Sequence, residues 1–390
     1  MTGYIPTQGC ELLGAYRIAM ALKDCVVMIH GPTGCHFGPN FLEVLTNNHS
    51  SNGTVSVMRD RSVIYGGIEN LEKAIAITRK HYKDKKIIVL SSYIPSIIGD
   101  DPEFIDVDLY VDCGGFQPMW QGMELFLEKL GDFIVRATDK KVDHSKTNLV
   151  NLVGFQLDVA GGEEDLEELK RVLALYNIRA NVIPDTLESL KYANYASLNV
   201  VFGYGVKLAK RMERELGIPY VVVDYPYGVE GLKCFVEVIS RHIDLKINHG
   251  VSDVIIDKLK KYRDNLPIFY EVPTCIVGDL PRISGLSRFL ERELGMDVEL
   301  ALATSSAKEN FDVSCTKLVN SYDEFYEELK GEPEIIVLFG TDEERRIRSD
   351  TIALAFPSFT RMSFVPYLGI GTLNLISDIY ERIINKVWVK

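Results

Sequence analysis

Two cysteines stand in settings where a thiolate can act as a ligand. One is in Gly9-Cys10-Glu11; the other ends His30-Gly31-Pro32-Thr33-Gly34-Cys35. Neither belongs to a Cys-x-x-Cys pair, so the spacing fits neither a zinc finger nor a thioredoxin-type redox site. Cys10 precedes a helical stretch at 12–22. Cys35 follows the buried-strand run Val26-Val27-Met28-Ile29 through a Gly-Pro-x-Gly turn. Thiols on loops at the ends of core elements can share a metal centre, and soft thiolates favour iron–sulfur clusters or zinc. The competing reading is two small buried apolar residues, because free cysteine is among the most buried residue types.

The elements that must position these thiols follow a strand-then-helix rhythm. Strands are expected at 25–29, 55–58, 87–91 and 109–111, and helices at 68–81 and 119–130. A polar stretch at 136–146 ends this block. A second block carries strands at 149–154, 180–183, 198–202 and 220–224, with helices at 163–176, 186–195, 206–216, 228–243 and 251–265. A third has strands at 273–279, 298–302, 335–339 and 352–356, and helices at 284–294, 323–329 and 371–387. Short apolar runs alternating with helices predict parallel sheets with crossover helices. The expected fold is α/β: three Rossmann-like parallel-sheet units with flanking helices. The expected domains are 1–146, 147–267 and 268–390.

Composition narrows the classes. The chain has 390 residues, 46% hydrophobic and 25% charged, the balance of a globular protein. It has no apolar run long enough for a membrane span. The first residues have neither a basic segment nor an apolar one after it, so no signal peptide is read and the cytoplasm is expected. Seven dispersed cysteines, an odd number, argue against a disulfide framework. A formal net charge of -12 disfavours nucleic acid, whose phosphates need a basic face.

The residues carry a family resemblance. His30 to Cys35 resembles the second cluster-cysteine motif of the nitrogenase component 1 superfamily. That superfamily includes molybdenum–iron protein subunits, a cofactor-assembly scaffold, the dark-operative protochlorophyllide and chlorophyllide reductases, and a methanogen nickel-tetrapyrrole reductive cyclase. Cys10 is similar to the first cluster cysteine. Arg59-Asp60-Arg61-Ser62-Val63-Ile64-Tyr65-Gly66-Gly67 resembles the Gly-Gly segment that opens the next helix. Ser91-Ser92-Tyr93-Ile94-Pro95-Ser96-Ile97-Ile98-Gly99-Asp100-Asp101 resembles the motif that usually holds the third cysteine. Cys113-Gly114-Gly115-Phe116, Pro226-Tyr227-Gly228-Val229-Glu230-Gly231 and the region from Phe356-Pro357 to Gly369-Ile370-Gly371 fit later segments.

The resemblance implies an electron-relay cluster held by Cys10 and Cys35, with the backbone of Gly34, Gly66 and Gly67 close to it. It implies an ATP-hydrolysing iron-protein homologue as partner, since this chain has no Gly-x-x-x-x-Gly-Lys-Ser/Thr loop of its own. Tyr93 stands at the third cysteine position and reads more as core than as ligand. With two thiolates per chain, a 4Fe-4S cluster needs a second chain, in a homodimer or in a heteromer with a related component 1 subunit. Gly203 stands where the catalytic nitrogenase subunit has a cofactor cysteine, and Met362-Ser363 where it has a histidine. No iron-molybdenum cofactor is therefore expected. The implied activity is oxidoreduction of a tetrapyrrole or another small unsaturated molecule. The alternatives are a metallocofactor-assembly scaffold or a cluster-free binding protein of the same fold.

Other residues have plainer readings. Cys25, Cys113, Cys234, Cys275 and Cys315 read as core. His30 reads as a turn histidine, and Asp100 and Asp101 as helix caps ahead of proton donors. Lys207, Arg211 and Arg282 are cations available to a cleft, with surface exposure as their default.

Overall fold

The structure is a computed structural model. It describes residues 9–46, 52–100, 102, 105–137, 147–243, 256–258, 260, 267–304, 311, 313, 315–319, 321–331, 335–359 and 364–387. By contacts the chain divides into two compact units. One is Met1–Val142, Val182–Asn194 and Tyr204–Gly217; the other is Asp143–Asn181, Tyr195–Gly203 and Ile218–Lys390.

The first unit holds a parallel sheet of β1 (Cys25–His30), β2 (Asn52–Val55), β3 (Lys86–Ser91) and β4 (Leu109–Asp112), in the order β2-β1-β3-β4. Its helices are α1 (Glu11–Met20), α2 (Thr33–Thr46), α3 (Asp60–Tyr65), α4 (Ile68–His81), α5 (Tyr93–Ile98) and α6 (Met119–Ala137). β1 is apolar from Cys25 to Ile29 because a central parallel strand is covered on both faces; every one of its residues is buried. Met28, Leu71, Ile75, Ile87 and Val89 form one core cluster under α4.

Helices α1 and α6 touch backbone to backbone. A Cβ on Gly14 would overlap the Met119 carbonyl oxygen, and a Cβ on Gly122 the Glu11 carbonyl oxygen. Only glycine permits that approach at either place. Further along α6, Glu124 accepts from the Gly205 N–H at 2.7 Å, at the start of α8 (Val206–Leu216). Burial raises the Glu124 carboxyl, against the pull of the helix-start amides.

Two more parallel sheets follow. One has the order β6-β5-β7-β8, from β5 (Leu149–Val153), β6 (Arg179–Ile183), β7 (Leu198–Val201) and β8 (Tyr220–Val222). With it come α7 (Gly162–Leu175) and α9 (Gly228–Ser240). The other has the order β11-β10-β9-β12-β13: β9 (Pro273–Gly278), β10 (Asp297–Ala303), β11 (Lys317–Val319), β12 (Val337–Gly340) and β13 (Ile352–Ala353). Its helices are α10 (Leu280–Phe289), α11 (Tyr322–Gly331), α12 (Asp342–Ile347) and α13 (Thr372–Val387).

Several elements depart from their sequence-based expectation. β2 lies earlier than 55–58, because Val57 takes φ 58 and leaves the ladder. The Met58 N–H still bonds the Gly31 carbonyl at 2.9 Å. The helix expected at 186–195 is a 3-10 helix over Ser189–Tyr195; the Ser189 N–H bonds Thr186 Oγ1 at 2.9 Å and tightens its start. The helix expected at 284–294 starts at Leu280, behind Asp279 with a proline in its first turn, and ends in a π-turn over Leu290–Leu294. Most of 251–265 lies outside the described residues.

Candidate functional site

Cys10 is the residue before α1, in extended conformation, and it is exposed. Its carbonyl accepts the Gly14 N–H at 3.2 Å, and its backbone pairs with Pro118. The next residue, Glu11, is buried and accepts the Gly115 N–H at 2.8 Å. The start of α1 is thus tied to the loop that leads into α6.

Cys35 does not sit on a loop. Gly34 and Cys35 already belong to the first turn of α2, where the Cys35 N–H donates to the Pro32 carbonyl at 3.1 Å. The thiol is half-buried. Burial pushes its pKa up, the nearby Ser92 hydroxyl pulls it part of the way back, and the Cys10 thiol adds to the rise. The two thiols are therefore neighbours in one microenvironment. A Cβ on Gly34 would meet nothing within 4 Å, so the space beside Gly34 is open.

Gly66 and Gly67 serve a contact inside the chain. Gly66 takes φ 96, and the Gly67 N–H donates to Asp100 Oδ2 at 2.7 Å. Gly67 is the residue before α4, so Asp100 ties down the start of that helix from a distance and is not itself its N-cap residue. Asp100 also faces His30 Nε2 at 3.5 Å, and His30 Nδ1 lies 2.8 Å from Ser56 Oγ. His30 is fully buried. Burial holds its imidazole below the ordinary range, against the pull of Asp100. Asp101 lies outside the described residues.

Large apolar side chains stand exposed on the elements around the thiols: Phe37 on α2, Ile64 and Tyr65 on α3, Tyr93 and Ile97 on α5, and Phe116 before α6. Ile64 is 73% and Tyr65 80% exposed, far beyond what a lone surface residue needs for packing. Tyr93, expected in the core, is 45% exposed and packs its ring on Phe116 at 5.6 Å. It opens α5, and the first residue of a six-residue surface helix has little to pack beneath.

The remaining cysteines divide. Cys25 and Cys275 are buried, as expected. Cys113 is buried too, with Sγ 3.8 Å from the Val111 carbonyl, and burial above all raises its pKa, with Glu11, Asp112 and Cys10 adding to the rise. Cys234 is exposed and Cys315 half-exposed, which corrects their core reading. The buried stripe of α9 runs through Gly231, Leu232, Phe235, Val236 and Ile239 and leaves Cys234 outside it.

The three cations are also engaged. Lys207 pairs with Glu128 at 3.2 Å, and Arg211 with Asp132 and Glu215. Arg282, far from exposed, is completely buried. Its guanidinium lies 3.9 Å from the Tyr225 ring centre; Nη1 meets Tyr227 Oη at 3.2 Å, and Nε meets Asp279 Oδ1 at 3.3 Å and Gln156 Oε1 at 3.4 Å. Asp165, also buried, adds a second negative charge to this knot. Gly203 takes φ 82, and a Cβ there would lie 2.5 Å from Pro281 Cγ. Met362 and Ser363 lie outside the described residues.

As a donor set, Cys10 and Cys35 are soft, accessible and close enough to feel each other's charge, which fits a thiolate-ligated cluster from one side. Among the described residues, no three His, Cys, Asp or Glu side chains converge on one metal position. Also among the described residues, no helix is long and apolar enough to cross a membrane.

Three parallel sheets with crossover helices, and a thiol pair beside the first, define an α/β protein of repeated Rossmann-like units. Residues 10–384 match the family described as nitrogenase component 1 type oxidoreductase, and the chain belongs to that family. It is similar to the nitrogenase molybdenum-iron protein alpha chain of Clostridium pasteurianum, at 25% identity over 69% of this chain and 54% of that one, about half its length. The nitrogenase iron-molybdenum cofactor biosynthesis protein NifE of the same organism is 25% identical over 80% of this chain and 72% of its own. The solved structure "Nitrogenase Cp1 at pH 6.5" superposes with a TM-score of 0.80 over 99% of this chain and 94% of that one; at 17% identity it establishes the fold.

Proposed function

We propose that this chain is a component 1-type reductase subunit in which Cys10 and Cys35 hold one side of a 4Fe-4S cluster. Thiolates of a second chain, a copy of this one or a related subunit, complete it. The cluster, when bound, relays electrons from an ATP-hydrolysing iron-protein homologue to a bound tetrapyrrole or other small unsaturated molecule. The observation that carries this reading is the pair of adjacent thiols, one exposed and one half-buried, beside exposed apolar side chains. Two thiolates cannot close a cluster that takes four, and the apolar surface is what a second chain would cover. Within this chain, α1 and α2 orient the thiols. The open side of Gly34 admits the cluster, while the Gly66-Gly67 turn braces the wall through Asp100.

The reading includes no iron-molybdenum cofactor, because Pro281 fills the space a side chain at position 203 would need. It places the protein in the cytoplasm, without nucleic acid or membrane as partner, and retains domains at 1–146, 147–267 and 268–390. A second reading, an assembly scaffold that carries a metallocofactor without turning it over, is favoured by the NifE relative.

The test is iron and acid-labile sulfide per chain on anaerobically prepared protein, beside Cys10→Ala and Cys35→Ala. About two irons per chain, lost in both variants, is expected of one four-iron cluster shared by two chains. No iron after reconstitution would remove the relay. Turnover with an iron protein, ATP and dithionite then separates reductase from scaffold.

A further inference from the structure

A cavity of about 250 Å³ opens outside the carboxyl end of β8, against α9 and α10 and apart from the thiol pair. The carboxyl ends of parallel strands are where open α/β sheets bind ligands. Val222, Phe235 and Phe311 give it apolar walls. Its polar lining is Asp224, Ser284, Cys234, Arg288 and Arg292.

The charges in that lining are unequal. Arg288 forks onto Asp224, with Nη1 to Oδ2 at 2.7 Å and Nη2 to Oδ1 at 3.0 Å. Ser284 Oγ donates to the same Oδ2 at 3.0 Å. Both carboxylate oxygens are thereby occupied, and this pair is neutral. One turn on, the helix widens into the π-turn Leu290–Leu294, which carries Arg292. Such turns recur at functional sites, where they re-aim a side chain. Arg292 is exposed and forms no ion pair among the described residues. Among the described residues, the cavity therefore presents one positive charge without an ion pair at the edge of an apolar chamber.

We propose that this cavity binds a small organic carboxylate with an apolar body about the size of one ring, its carboxylate on Arg292 and its body against Val222, Phe235 and Phe311. The volume lies just below the range of ordinary ligand pockets, which suits a small ligand. An amine meets repulsion there. A neutral isostere gains the apolar contacts alone. The exposed thiol of Cys234, in the cavity wall, reports occupancy.

Benzoate and its neutral isostere benzamide are the probes. In the intact chain, the rate of Cys234 alkylation by iodoacetamide is followed by peptide mass mapping. Millimolar benzoate is expected to slow it about fivefold without changing the other cysteines, as occupancy at a few times Kd requires. Benzamide at the same concentration leaves the rate unchanged, and Arg292→Gln abolishes the protection by benzoate. Equal protection by benzamide, no protection by benzoate, or protection that survives Arg292→Gln would each overturn the proposal. None of these readouts depends on a cluster, so their failure is distinct from failure of the reductase reading.

Discussion

Two groups of chemistry-bearing side chains lie just beyond the carboxyl ends of parallel strands: the thiol site after β1, and the Arg282 knot after β9. They are finished in opposite ways. Around Cys10 and Cys35, the donors and several large apolar side chains face outward. Around Arg282, a guanidinium, two carboxylates and two tyrosines face one another with no exposure of the cation. The Arg282 group is buried among side chains of its own chain; the thiol group faces outward with exposed apolar side chains beside it. Burial among partners is the mark of a structural polar knot, and exposure with apolar company is what the proposed interface requires.

The largest test of this contrast is Arg282→Met, which keeps volume and removes charge. It leaves Asp279 and Asp165 buried with no cation, and stability to urea is expected to fall by about 3–5 kcal/mol. A loss under about 1 kcal/mol would mean that the knot is not held by its charges.

Asp165 tests the same knot through pH. Desolvation is the largest influence on its carboxyl and pushes it up to about 6 from the usual 3.8, despite Arg282 and the Leu368 and Tyr367 amides. For a raised acid the sign is fixed: its contribution is fully present below about pH 4 and is lost as pH rises through about 6. Asp165→Asn retains an oxygen in the place of Oδ1, which accepts both amides. Between pH 4 and 7, the stability difference should move against the wild type by on the order of 2–3 kcal/mol. A difference that stays flat over that range would contradict the shift.

The smallest effect on stability belongs to the other region. Ile64→Ser with Phe116→Ser should change the stability of the single chain by less than about 0.5 kcal/mol, because neither side chain is buried. Association should weaken by about tenfold or more in sedimentation, since large apolar side chains dominate interfaces. Unchanged association would remove this surface from the interface.

The sequence made the repeating strand–helix order legible because central parallel strands are apolar along their whole length, as in Val26 to Ile29. It hid α2, whose opening residues include Gly34 and whose interior holds Pro39, both poor helix formers. The β-branched run at 55–58 pointed to a strand that Val57 does not continue. At the site, the motif context singled out Cys10 and Cys35, and the structure makes them neighbours. The burial of Arg282 was not legible, because its partners Gln156 and Tyr227 lie far away in sequence. Cys234 and Cys275 have similar apolar neighbours in sequence. One lies on a helix and one in a strand covered on both faces, and that alone sets their exposure.

The contact of Gly14 with Met119 and of Gly122 with Glu11 also sets an order of events during synthesis. Cys10 and Cys35 leave the ribosome early and almost together. Cys10 is expected to gain a fixed place only when α6, some hundred residues later, has emerged and α1 can pack against it. The same compact unit goes on to recruit Val182–Asn194 and Tyr204–Gly217. A nascent chain therefore carries two loose thiols rather than a preformed ligand pair. Under the proposed function, capture of a cluster at this place would be a late step, taken by a chain already more than half made.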